Sequence, residues 1–225
     1  MRLTTVTIVM NIDRLIQLIN TPLTIQFSHQ VKRVSVLALL ALCAGCVSTS
    51  QPTSLYRLQP LAQEAINDND LNVSSAPTLG VGRITVAEYL NRPQLLQSSG
   101  SFELQRSEQH RWAESLEGSI QSVVLENLAR LTGNHQLQMF PFRADNRPQW
   151  VLKANVLALD INADYEAELR VSWHWLELSS GRRMAEQRSR FSQTAKAGPS
   201  AQAKAYSQLL LQWSEAAAEK LPELK

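Results

Sequence analysis

Residues 150–178 read WVLKANVLALDINADYEAELRVSWHWLEL, and the alternation within this stretch decides the fold class. Side chains along a β-strand point alternately to its two faces, so residues of one parity share a face. In the second half, Tyr165, Ala167, Leu169, Val171, Trp173 and Trp175 take one parity, while Glu166, Glu168, Arg170, Ser172 and His174 take the other. One face is therefore dry and the other wet, as in an antiparallel sheet with a single buried side. The polar residues Asn162-Ala163-Asp164 separate this strand, Tyr165–Leu178, from a preceding one, Trp150–Asn162, and predict a hairpin. Trp173 and Trp175, with Tyr165 on their face, either pack beneath a helix or form an aromatic platform for an acyl chain or a partner.

Working outward, Ser180-Gly181 allows a second turn into a third strand, Met184–Thr194, which completes a meander. Gly198-Pro199 then opens a helix whose apolar stripe is Tyr206, Leu209, Leu210, Trp213, Ala217 and Leu221, and Pro222 ends it. Upstream, Trp112, Leu116, Ile120, Val123, Leu128 and Leu131 recur at helical spacing and predict a helix from near Trp112 to Thr132. Gly133-Asn134 is its stop, because both residues tolerate the left-handed conformation. Leu79–Val86 reads as a strand in which Gly80 and Gly82 mark close backbone packing or a bulge. Ser54–Gln59 reads as a short strand, and 62–77 as polar loop. The expected architecture is α+β: an antiparallel or mixed β-sheet with two main α-helices packed on it, forming a single domain over 54–225.

The amino terminus has a different character. Val31-Lys32-Arg33 is followed by an apolar run, Val34–Ala44, broken only by Ser35. A bilayer-spanning helix needs about 20 apolar residues, so this run is too short to cross and reads instead as the charged and apolar regions of a signal peptide. Leu42-Cys43-Ala44-Gly45-Cys46 follows, and it resembles the lipobox of bacterial lipoproteins. That resemblance implies export, transfer of diacylglycerol to the Cys46 thiol, cleavage after Gly45, and acylation of the new amino terminus by a fatty acid such as palmitate. Small Ala44 and Gly45 leave the cleaved bond accessible. Cys43 stands where such motifs usually place Leu.

The competing reading, a redox or half-zinc C-x-x-C, lacks a second cysteine pair, because Cys43 and Cys46 are the chain's only cysteines. Residues 1–45 then form the leader. This is long for a signal peptide, and the redundancy of 1–30 predicts that translation starts at Val31. Residues 46–53 are small and polar, a lipidated flexible tether. Val47 occupies the position where aspartate retains enterobacterial lipoproteins at the inner membrane, so the expected location is the periplasmic face of the outer membrane.

Composition narrows the function classes. Four of the 22 basic residues (Arg2, Arg14, Lys32, Arg33) and one of the 20 acidic residues (Asp13) precede Cys46, which leaves the rest near neutrality. That balance provides no broad footprint for nucleic acid. Asp160-x-Asn162-x-Asp164 has the opening spacing of a calcium loop, but Tyr165 replaces the turn glycine and Val171 stands where the bidentate glutamate belongs, so a solvated Asx turn is expected. His110, His135 and His174 lack metal-site spacing, and no G-x-S-x-G elbow is present. No catalytic residue, metal or cofactor is expected.

Several strings resemble one family, the ABC-type transport auxiliary lipoproteins. They are Leu55-Tyr56-Arg57-Leu58, Ile84-Thr85-Val86-Ala87-Glu88-Tyr89-Leu90-Asn91-Arg92-Pro93-Gln94-Leu95, and His110-Arg111-Trp112-Ala113-Glu114-Ser115-Leu116, the last opening the helix. Leu96-Gln97-Ser98-Ser99 departs from relatives, which often carry Val-Thr-Arg there. The resemblance implies a non-enzymatic outer-membrane subunit of an intermembrane lipid transport system. Its partners would be an inner-membrane MCE-domain protein and the associated ABC transporter or permease. A homo-oligomer is expected, since a small domain adds most easily to a conduit as a ring.

The Tyr89–Leu95 segment is apolar yet broken by Asn91 and Pro93. It is either folded onto the core or offered to a partner. Tyr89, Leu90, Arg92, Pro93 and Leu95 are the candidate partner-binding residues. The alternatives are an envelope assembly or secretion scaffold and, with less support, a periplasmic hydrolase.

Overall fold

The 150–178 hairpin forms the centre of the larger of two sheets. The structure, a computed structural model, describes residues 52–61, 78–100, 102–134 and 136–221. The signal segment, Cys46, the tether as far as Gln51 and the polar stretch 62–77 lie outside the described residues. In chain order the elements are β1 (Ser54–Tyr56), β2 (Leu79–Val86), a 3-10 turn (Glu88–Leu90), β3 (Gln94–Ser98), β4 (Leu104–Trp112), α1 (Leu116–Thr132), β5 (Leu137–Met139), β6 (Trp150–Ile161), β7 (Glu166–Glu177), β8 (Gln187–Thr194) and α2 (Pro199–Glu219). Five strands form a mixed sheet in the order β5-β2-β6-β7-β8, and three form a second sheet in the order β1-β4-β3. The expected α+β architecture with two helices is what the chain adopts, and its strands divide between two sheets.

The dry parity is real. Leu152 lies opposite Trp175, Ala154 opposite Trp173, Val156 opposite Val171 and Leu159 opposite Leu169. A register shift between Val156 and Ala158 places Val156 and Leu159, three apart, on the same face. The residue it leaves over, Leu157, points to solvent. Both helices cover the dry face: α1 packs on β2, α2 on β7 and β8, and the helices pack on each other. Burial is nearly complete there, with Ile120, Leu128, Leu152, Leu169, Leu209, Leu210 and Trp213 all inaccessible. Trp175 Nε1 donates to the Ala217 carbonyl at 3.0 Å and Tyr206 OH to the Leu159 carbonyl at 3.2 Å, so the two large polar-tipped side chains meet their donor requirement without water. Trp173 and Trp175 thus pack beneath a helix. Tyr165 does not join them, for it sits in the hairpin turn at φ 60° and is partly exposed.

The structure corrects several boundaries. Trp112 ends β4 and does not begin a helix; α1 starts at Leu116, where the Ser115 hydroxyl caps it by accepting from Gly118 N–H at 3.2 Å. Gly133, at φ 64°, closes α1 in the left-handed conformation as expected. The third strand of the meander begins at Gln187, not Met184, with only an isolated bridge between Leu176 and Arg183 before it. β1 ends at Tyr56; beyond it Leu58 is buried, and the backbone N–H groups of Gln59 and Leu61 donate to Ser207 on α2 and Asn127 on α1. That segment ties the first strand across both helices.

The glycines of β2 are packing glycines. A Cβ on Gly80 would lie 2.6 Å from the Pro148 ring and 2.9 Å from Phe142, and one on Gly82 would lie 2.9 Å from Val151. The β2–β6 register also shifts between Val81 and Ile84, so both close approach and a bulge are present.

Candidate docking surface

The Tyr89–Leu95 segment crosses from the five-stranded sheet to the three-stranded one. Ala87 N–H donates to Val156 O at 2.9 Å as β2 ends, and Leu90 and Asn91 N–H close the 3-10 turn on Ala87 and Glu88. Tyr89 is half-buried, and its hydroxyl donates to Asp160 Oδ1 at 2.7 Å. Burial, followed by that hydrogen bond to the carboxylate, pushes the Tyr89 hydroxyl well above the usual phenol range, so it stays a donor. Leu90 and Leu95 are in the core. Arg92 and Pro93 are exposed, as are Glu88 and Asn91.

Of the candidate contact residues, Leu90 and Leu95 have their side chains buried in the core. Arg92 and Pro93 are accessible, and Tyr89 is partly so.

The second string meets the first. Trp112 N–H donates to Pro93 O at 2.7 Å, and Gln94 pairs with Arg111. Trp112 is buried and stacks on Tyr206 of α2, with ring centroids 6.0 Å apart. Glu114 accepts from the Ser119 hydroxyl at 3.0 Å, and Ser115 caps α1. Leu55 and Tyr56 pair with Arg111 and Trp112 through β1, and Ala113 N–H donates to Tyr56 O. All three strings thus converge on one joint between the sheets and the helices.

The hairpin turn uses its polar groups internally. Asn162 Oδ1 accepts from Asp164 N–H at 3.0 Å and Glu166 N–H at 2.8 Å, and Asp160 holds Tyr89. This is the expected Asx turn. Among the described residues no group of three or more His, Cys, Asp or Glu side chains could hold a metal.

The wet face of the large sheet is charged. Arg170 and Arg190 both pair with Glu168, Thr194 donates to Glu166, and Ser172 donates to Glu186. His174 is held below the usual imidazole range, chiefly by partial burial and then by the nearby Arg183 guanidinium. Glu186 is held low by the Ser172 hydrogen bond first and by Arg183 next.

Sequence reasoning passed over one exposed element, the β3–β4 hairpin. Gln94–Ser98 and Leu104–Trp112 are too polar to alternate clearly, yet they pair antiparallel from Gln94–Arg111 to Ser98–Leu104. Phe102 at its tip is fully exposed and Leu104 is 44% exposed. The available signal was a phenylalanine isolated among Ser, Gly and Glu.

The chain belongs to the ABC-type transport auxiliary lipoprotein component family, whose sequence profile matches residues 56–218. No curated protein matches it by sequence. Among solved structures it is similar to an uncharacterized protein at 17% identity and TM-score 0.59, covering 76% of this chain and 99% of that one. It is also similar to protein XCC0632 from Xanthomonas campestris, at 15% identity and TM-score 0.59, covering 74% of this chain and 93% of that one. At these identities the likeness establishes the fold.

Proposed function

We propose that this transport-associated lipoprotein is the outer-membrane subunit of an intermembrane lipid transport system, anchored on the periplasmic face through lipid on Cys46. Residues 1–45 would be removed on export, with translation starting at Val31, and 46–53 would serve as the tether to a single domain over 54–225. Its role is non-enzymatic, docking or extending a conduit, and its partners are an inner-membrane MCE-domain protein with its ABC transporter or permease. A homo-oligomer on the membrane would present several copies of the docking surface at once.

The observation that carries this reading is the family match across nearly the whole folded domain, behind the Ala44-Gly45-Cys46 signal. The exposed crest of Glu88, Asn91, Arg92 and Pro93 is the proposed contact. It is held rigidly between two sheets, which lowers the ordering cost of binding.

The test is affinity purification from detergent-solubilised envelopes. The chain is expected to retain an MCE-domain protein, and R92A is expected to lose it while changing unfolding free energy by less than about 0.5 kcal/mol. Retention of a β-barrel or secretion protein in its place would refute the transport reading in favour of a scaffold. Undiminished capture by R92A and P93A would move the contact elsewhere. Native mass spectrometry reads the oligomer, and a monomer at working concentration counts against a ring.

A further inference from the structure

The exposed tip of the β3–β4 hairpin acquires meaning from its register with the anchor. β1 and β4 are parallel, with Ser54 opposite His110. Moving toward the amino terminus from either residue therefore proceeds in the same direction. Eight residues back from His110 is Phe102, at the hairpin tip; eight residues back from Ser54 is Cys46. An extended stretch of eight residues spans at most about 26–29 Å. A membrane holding acyl chains on Cys46 is thus within that distance of Ser54, and the hairpin reaches a comparable length from His110, the partner of Ser54, to its tip.

Other features mark the same end. The tip shares a cleft with Asn162, Glu166 and Ser192, at the hairpin-turn end of the large sheet. The opposite end, with the turn at Ser180-Gly181, is a 12-residue strand away along β7. Phe102 is flanked by Ser98, Ser99 and Gly100 on one side and Glu103 on the other. An apolar ring of this kind suits the boundary between headgroups and acyl chains, where interfacial segments bury Trp, Phe and Leu, and the adjacent carboxylate sets a shallow depth.

We propose that Phe102, with Leu104 behind it, enters the headgroup region of the bilayer that holds the Cys46 lipid and so fixes which end of the domain faces the membrane. The inference rests on the reading of Cys46 as lipidated. Several acyl chains supply nearly all of the affinity, and Phe102 acts on orientation.

After processing, no cysteine besides Cys46 remains, so a single introduced thiol can be labelled selectively. The lipidated chain carrying F102C or, as control, S180C is labelled with an environment-sensitive fluorophore. It is then reconstituted in phosphatidylethanolamine and phosphatidylglycerol vesicles that include lipids spin-labelled near the headgroup. The probe at 102 is expected to shift to the blue and to be quenched about twofold or more relative to the probe at 180, as an interfacial group should be. With a probe at L104C, adding F102D is expected to bring quenching down to the level of 180.

A chain that floats with the vesicles but shows equal, water-like emission at both sites overturns the inference and leaves the anchor standing. Shielding of the 102 probe only when a partner protein is added also overturns it, making the tip a protein contact. A chain that does not float overturns the lipidation reading and this inference with it.

Discussion

The joint between the two sheets can be weighed through Tyr89 and Asp160. The 2.7 Å bond from the phenol to Asp160 Oδ1 links the crossing segment to β6, and both partners are half-buried. A hydrogen bond to a charged group contributes about 1.5–3 kcal/mol when shielded, and water recovers part of that at a half-exposed carboxylate. Y89F should therefore destabilise by about 1–2 kcal/mol, since the ring keeps its packing and only the donor is lost. D160N keeps an acceptor but removes the charge, and should cost less. In the double-mutant cycle a coupling of about 1 kcal/mol is expected. Urea unfolding followed by tryptophan emission suits the purpose, because all five tryptophans (Trp112, Trp150, Trp173, Trp175, Trp213) are buried and report the core. A coupling below about 0.3 kcal/mol, within the error of additivity for independent sites, would refute the claim that this bond holds the joint.

Other perturbations follow from the same geometry. G80A should destabilise by about 1–3 kcal/mol, because the added methyl meets the Pro148 ring at 2.6 Å, and thermal unfolding would show it as a lowered Tm. S115A and G133A should each cost about 1 kcal/mol, the first by losing the cap on Gly118 N–H and the second by forcing a Cβ into φ 64°, both measurable by urea titration. His174 binds its proton less readily in the folded chain than at its ordinary value of 6.5, so the unfolded state holds more protons as pH falls below that value. Its contribution is therefore intact above pH 6.5 and lost on acidification. H174Q should flatten the difference in stability between pH 7.5 and 5.5, with Arg183, Lys153, Glu186 and Arg188 left in place around it.

How far the fold was legible depended on contrast between faces. β7 could be read almost residue by residue, because Ala167, Leu169, Val171, Trp173 and Trp175 are each buried against helices while their neighbours meet water. The same contrast located both helices and the Gly133 stop. It failed for β3, β4 and β5, where LQRSEQHRW buries only Trp112 fully and no periodicity survives. A strand in a small sheet, or a short one at a sheet's edge, is held by its ladder bonds, which every residue type but proline can make in full, so composition leaves little trace of it. Extending α1 back to Trp112 came from the same source: the spacing from Trp112 to Leu116 suits a helix, but the Ser115 cap breaks the chain's direction between them. Tyr165 shared a parity with the dry face, and parity stops having meaning at the first residue of a turn.

The candidate site was legible as a segment and not as a set of contacts. Tyr89–Leu95 was read as either folded inward or offered outward, and the structure divides it: Leu90 and Leu95 inward, Arg92 and Pro93 outward, Tyr89 between. This division explains why strings without reactive chemistry can mark a family. Leu55–Leu58, Ile84–Leu95 and His110–Leu116 are distant in sequence, yet Ala113 N–H bonds to Tyr56 O and Trp112 N–H to Pro93 O, so the third string supplies backbone partners to both of the others. A change that displaces the third string would disturb its bonds to both of the others, whatever the protein contacts. A resemblance carried by such residues therefore identifies the scaffold, and functional differences within that scaffold belong on what the joint leaves exposed. Here that is the crest of Glu88, Asn91, Arg92 and Pro93, and the Phe102 tip that the same joint holds out on β3 and β4.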